Sequence, residues 1–105
     1  MKTETLGSLI EKHPALLVYF TSPQCVACKS LRPKVEQMAE LHFPEMKYLL
    51  VDASQSPSMT SEASVYSAPT LVAYFEGKEY IRESKYISVE QLKEKIGRYY
   101  DMMFG

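Results

Sequence analysis

The chain is 105 residues long, 46% of them hydrophobic, with 12 basic residues against 13 acidic ones and a formal net charge of -1. That length suits one domain with its own core, expected here over residues 1–105, and a balanced charge with no block of one sign excludes an electrostatic footprint for nucleic acid or an anionic membrane. No apolar run approaches the roughly 18 residues of a spanning helix. Glu4 and Glu11 flank the first helical pattern in place of a basic leader, so a cytoplasmic protein is expected, with no membrane and no nucleic acid among its partners.

Residues 5 to 13 carry Leu6, Leu9 and Ile10 at helical spacing, and Pro14 ends the pattern because it neither donates nor leaves His13 comfortably helical. Residues 15 to 20 (Ala-Leu-Leu-Val-Tyr-Phe) form a continuous apolar run with β-branched and aromatic members, the pattern of a central strand buried on both faces. After a turn at 21 to 24, a helix is expected over 25 to 41, burying Val26, Leu31, Val35, Met38 and Leu41 and kinked by Pro33. Residues 47 to 51 read as a second strand, parallel to the first through a right-handed crossover and ended by Asp52.

A polar loop follows, in which Ser56 can cap and Pro57 can start a short helix running to about residue 65. Residues 70 to 75 and 79 to 83 read as an antiparallel hairpin around Glu76-Gly77-Lys78, which makes the sheet mixed. Ser88 with Gln91 forms a capping box that opens a last helix, with Val89, Leu92, Ile96 and Tyr99 or Tyr100 on one face. Met103 continues that stripe, so the aromatic and sulfur-rich tail is expected to pack on the sheet.

The chain has two cysteines, and both lie in Gln24-Cys25-Val26-Ala27-Cys28-Lys29, at the junction of the first strand and the second helix. Two intervening residues let the sulfurs meet, so the pair can close to a disulfide and reopen with little backbone movement. Cys25, expected where the helix begins, faces unpaired backbone N–H groups and the positive end of the macrodipole, which favour its thiolate; Cys28, one turn in, is shielded. Attack therefore falls to Cys25 and resolution to Cys28. A tetrahedral metal site wants four ligands, and the remaining candidates, His13 and His42, stand in no paired spacing, so no metal is expected. His42 suits a helix C-terminus.

A βαβ unit with C-x-x-C at the end of its first strand, an X-Pro-Thr before a hairpin and a capped final helix together make the chain resemble the thioredoxin family over nearly its whole length. Phe20, Cys25, Cys28, Lys29, Pro33, Ala68-Pro69-Thr70 and Gly77 carry the likeness. The resemblance implies a thioredoxin-like α/β fold: a mixed four-stranded sheet flanked by helices on both faces, with at most a stub of an earlier strand. It also implies a cis Ala68–Pro69 peptide set against the cysteine pair.

In function, the resemblance implies a thiol–disulfide oxidoreductase that reduces disulfide-containing protein substrates, a small protein-disulfide reductase working in cytoplasmic electron transport. Gln24, Val26, Ala27, Ala68 and Pro69 would bind the substrate segment, with the Ala68 backbone taking it as an added strand. No bound cofactor is needed, an upstream reductase such as thioredoxin reductase would restore the dithiol, and a monomer is expected. Three departures bear on this: Gln24 stands where thioredoxins carry tryptophan, Val26-Ala27 replaces Gly-Pro, and Tyr19 stands where they carry a buried aspartate that assists proton transfer at the resolving cysteine. Slower release of substrate is therefore expected. Lys85 falls near a glycine that lines the family's docking surface and puts a charge where partners approach. These departures support a second reading, a thioredoxin-like binding module whose disulfide is a switch or is little used.

Overall fold

The computed structural model describes residues 5–105, in the order α1 (Leu6–Lys12), β1 (Ala15–Thr21), α2 (Cys28–His42), β2 (Lys47–Asp52), α3 (Pro57–Glu62), β3 (Thr70–Phe75), β4 (Lys78–Ser84) and α4 (Val89–Phe104). Six of the seven residues of β1 are buried. The two-residue period of a strand sends its side chains alternately to opposite faces, and here both faces are covered. Ala15, Leu17 and Tyr19 join Val35 and Met38 of α2 and Leu92 and Ile96 of α4 in one core. Leu16, Val18 and Phe20 join Leu6 and Leu9 of α1, with Ala63 and Val65 just beyond α3, in the other.

The strands lie in the order β2-β1-β3-β4. β1 and β2 are parallel. β3 runs antiparallel to β1 with Phe20 opposite Thr70, and β4 antiparallel to β3 with Thr70 opposite Ser84. The sheet is thus mixed and four-stranded with helices on both faces, as expected. The stub of an earlier strand would fall on residues 1–4, outside the described residues. No described helix is long and apolar enough to cross a membrane.

Several boundaries differ from the pattern reading, each for a local reason. The hairpin turns on two residues, because Glu76 (φ 52°) and Gly77 (φ 82°) both adopt the left-handed conformation whose twist matches the flanking strands, so β4 starts one residue early, at Lys78. Helix α3 stops at Glu62 because Ser64 adopts φ 57°. Its N–H donates to the Ser61 carbonyl and that of Val65 to Thr60, each at 3.0 Å, a Schellman closure with serine where glycine is usual. Arg82 of β4 secures that end, donating from Nη2 to the Ala63 carbonyl at 2.7 Å while Nε holds the Glu79 carboxylate at 2.8 Å. The same guanidinium keeps the Glu79 carboxyl below its usual range.

The caps are also leaner than the sequence suggested. Ser56 precedes α3 but its side chain makes no capping bond; its carbonyl accepts Thr60 Oγ1 at 2.8 Å instead. Ser88 Oγ accepts the Gln91 N–H at 3.3 Å, yet Gln91 does not reach back, which leaves half of the capping box. At the tail both tyrosines are used. Tyr99 stacks on Phe75 with ring centroids 5.4 Å apart, and the Tyr100 hydroxyl accepts the Glu45 N–H at 3.0 Å. Met103 packs partly buried against the core, whereas Met102 is exposed.

One polar feature sits inside the core beneath α2. Tyr19 is fully buried, and neither its hydroxyl nor that of Tyr48 has a hydrogen-bond partner among the described residues. Burial pushes both phenols above their ordinary value, that of Tyr48 furthest, with the negative charge of Glu36 adding to it; Tyr74 on the opposite face is raised by burial as well.

Two outcomes follow from these phenols. Tyr19→Phe deletes a buried oxygen that has no partner and should raise stability by about 1 kcal/mol in urea melts, whereas a loss would reveal a partner for the hydroxyl. A phenol whose folded value lies above its unfolded value of 10.0 leaves stability intact below that pH, and stability then falls as the unfolded chain ionises first. Unfolding free energy measured between about pH 9 and 11.5 should therefore hold and then drop, by up to about 1.4 kcal/mol per pH unit for each such tyrosine. Tyr48→Phe should make that drop shallower.

Candidate active site

Three chain connections converge at one end of the sheet. β1 runs out at Thr21 into residues 22–27; β3 starts opposite that end, so residues 65–69 enter there; β4, antiparallel to β3, ends there and leaves through 85–88. These loops carry Gln24 to Ala27, Ala68 and Pro69, and Lys85. One backbone bond joins two of them, the Lys85 N–H donating to the Pro69 carbonyl at 3.3 Å, and within the first loop the Cys25 N–H donates to the Ser22 carbonyl at 3.1 Å. Thr70 Oγ1 holds the Ser67 carbonyl at 2.7 Å, and the Ala68–Pro69 peptide is cis. Pro69 is buried and Ala68 half-buried, while Gln24 and Ala27 are exposed.

Cys25 and Cys28 are joined as a disulfide with Cα atoms 5.4 Å apart. The helix begins at Cys28, three residues later than the sequence suggested, and Cys25 lies in the turn before it. Ala27 occupies the N-cap position in a helical conformation and has no side chain that could cap. The amides are satisfied by tightening instead: the N–H groups of Cys28 and Lys29 donate to the carbonyls of Cys25 and Val26 at 3.3 and 3.2 Å, and that of Leu31 to Ala27 at 3.0 Å. These amides are therefore not aimed at the Cys25 sulfur. What remains to favour a thiolate is the field of α2, whose first turn holds no acidic residue to cancel it.

Two side chains expected on the buried face of this helix are on the surface. Val26 is 78% exposed because it precedes the helix, and Leu41 is 67% exposed. At 100° per residue Leu41 lies about 120° round from Val35, off the stripe. Access to the two sulfurs differs as anticipated: Cys25 is half-buried at the rim, and Cys28 is 6% exposed within the core beneath it.

Tyr19 belongs to the same buried cluster as Cys28. Its phenol, held protonated by burial, offers no base at neutral pH. Tyr48 was not singled out from the sequence; counting alternate residues of β2 from Leu50 would have placed it under α2 with Tyr19. Lys29 is exposed and forms no ion pair among the described residues.

The thioredoxin family model matches residues 1–98. The chain is 26% identical over 101 residues to a thioredoxin-like protein, YdfQ, of Bacillus subtilis, covering 96% of this chain and 89% of that one. It is 33% identical to a protein disulfide-isomerase of Triticum aestivum, covering 92% of this chain but 21% of the isomerase, so it spans about a fifth of that protein's length. Among solved structures, the thioredoxin of Fasciola hepatica superposes with a TM-score of 0.78 at 32% identity over 90% of both chains. Disulfide-bonded C-x-x-C at a strand-to-helix junction, mixed sheet and family match agree: this chain belongs to the thioredoxin family of thiol–disulfide oxidoreductases.

Proposed function

We propose that the protein works in the reducing direction, opening disulfides in protein substrates with Cys25 as nucleophile and Cys28 as resolving thiol. The two roles are supported by the unequal exposure of the residues, Cys25 half-buried at the rim and Cys28 6% exposed, and the direction by the likeness to the Fasciola hepatica thioredoxin. The Cys25 thiolate attacks one substrate sulfur; the substrate S–S bond breaks, a mixed disulfide forms, and the other substrate sulfur leaves as a thiolate. Cys28, once deprotonated, attacks Cys25 Sγ, which expels the second substrate thiolate and closes the Cys25–Cys28 disulfide. Two electrons have then passed to the substrate. An upstream dithiol donor such as thioredoxin reductase returns them, which suits a reducing compartment such as the cytoplasm, with the monomer as the working form.

Exposed Gln24, Val26 and Ala27 form one side of the substrate path, and Ala68 and Pro69 the other. The Ala68 backbone makes no hydrogen bond among the described residues, so it can pair with an extended segment as an added strand. Tyr19, in the buried cluster that holds Cys28, keeps its proton, which makes resolution the slow half of the cycle.

On this reading Cys25→Ser abolishes reduction of a disulfide-bonded test protein, and Cys28→Ser accumulates a mixed disulfide visible by mass. Partner capture that survives Cys25→Ser unchanged would favour the binding-module reading instead. Equilibration of the wild-type pair against thiol buffers should give a potential near about -270 mV; a value towards about -120 mV would make the protein an oxidant. In stopped flow, the wild-type mixed disulfide should form faster than it resolves.

A further inference from the structure

Beside the disulfide runs a feature the exchange chemistry does not use. A groove of about 900 Å³ lies between α2 and the start of α4, and Ala27, which stands between the two cysteines in sequence, lines its active-site end. Leu31, Met38, Ile87 and Val89 supply an apolar floor, and Leu41, exposed because it has left the buried stripe, forms a lip. Lys34, Lys85 and Lys93 stand along it against a single carboxylate, Glu90, with His42 at the far end.

The charges along the groove are unbalanced, three lysines to one glutamate. Arg32, Arg82 and Lys95 each hold a glutamate, whereas Lys34, Lys85 and Lys93 hold none. Lys85 also has φ 65°, a conformation that glycine adopts without cost, and its N–H is bonded to the Pro69 carbonyl. The backbone that carries this cation is thus fixed where the groove meets the cis-proline loop. From Ala27 to Leu41 the helix rises about 21 Å, the span of about six extended residues.

We propose that this groove is a specificity site of the reductase proposed above: it takes the segment flanking the substrate's disulfide, an extended stretch of about six residues with an apolar side chain for the floor and acidic residues for the three lysines. The inference rests on the reductase reading and adds the class of substrate, protein disulfides flanked by acidic and apolar residues.

The test uses the full chain with dithiothreitol as donor and two synthetic disulfide peptides. They differ only in the six flanking residues, which hold a leucine with three aspartates in one and with three lysines in the other. The acidic peptide should be reduced with a kcat/KM about ten-fold higher, three rim charges each contributing modestly. The gap should narrow at about 0.5 M salt, where the Debye length is about 4 Å. Lys34→Glu combined with Lys93→Glu, both at exposed positions, should reverse the preference. Lys85→Gly should weaken it while raising the thermal midpoint, a pairing that unfolding cannot mimic. Equal rates for the two peptides, or a preference untouched by the double charge reversal, overturns the groove assignment and leaves the reductase standing. Reduction of neither peptide overturns both.

Discussion

Burial of β1 from both sides is the constraint on which the site depends. A strand with no polar face is stable only at the centre of a sheet with helices on either side, so both of its edges must be paired and both of its faces covered. β2 comes back parallel through α2, and β3 antiparallel through the longer path over α3. Because β3 opposes β1, its entry and the exit of β4 fall at the end where β1 releases the cysteines. A parallel β3 would have carried the Ala68–Pro69 loop to the opposite end of the sheet, away from Cys25.

The order of elements, the mixed sheet and the redox pair were legible because each rests on a local pattern. An unbroken apolar run, a two-residue cysteine spacing and a glycine in a hairpin are visible within a few residues. The start of α2 was not, since it depends on what Ala27 lacks: without a capping side chain the backbone satisfies its amides by tighter turns and Cys25 is left outside the helix. The end of α3 likewise turns on Ser64 adopting φ 57° and on Arg82, which reaches it from a strand 18 residues away. Neither is encoded by periodicity.

The surroundings of the cysteines were legible only in part, for the same reason. Tyr19 drew notice because it stands where thioredoxins carry a buried aspartate, but its relation to Tyr48 and Glu36 exists only once β2 is laid beside β1 and α2 across both. The lysines of the groove come from α2 and, more than 40 residues later, from the loop after β4 and the adjoining α4. In sequence each reads as a solvated charge, and their grouping is a product of the two helices packing on one face of the sheet.

The buried Tyr19 phenol, in the cluster that holds Cys28, has a chemical consequence for the proposed cycle. A carboxylate at that depth would have to be stripped of water at considerable cost, and a neutral phenol avoids this at the price of offering no proton acceptor. The Cys28 proton must then go elsewhere. Attack by Cys25 itself generates an acceptor, the first substrate thiolate. Transfer to it requires that the departing sulfur stay beside the pair long enough. A segment anchored in the groove that begins at Ala27 would keep it there, so substrate retention and resolution of the mixed disulfide become two aspects of one requirement.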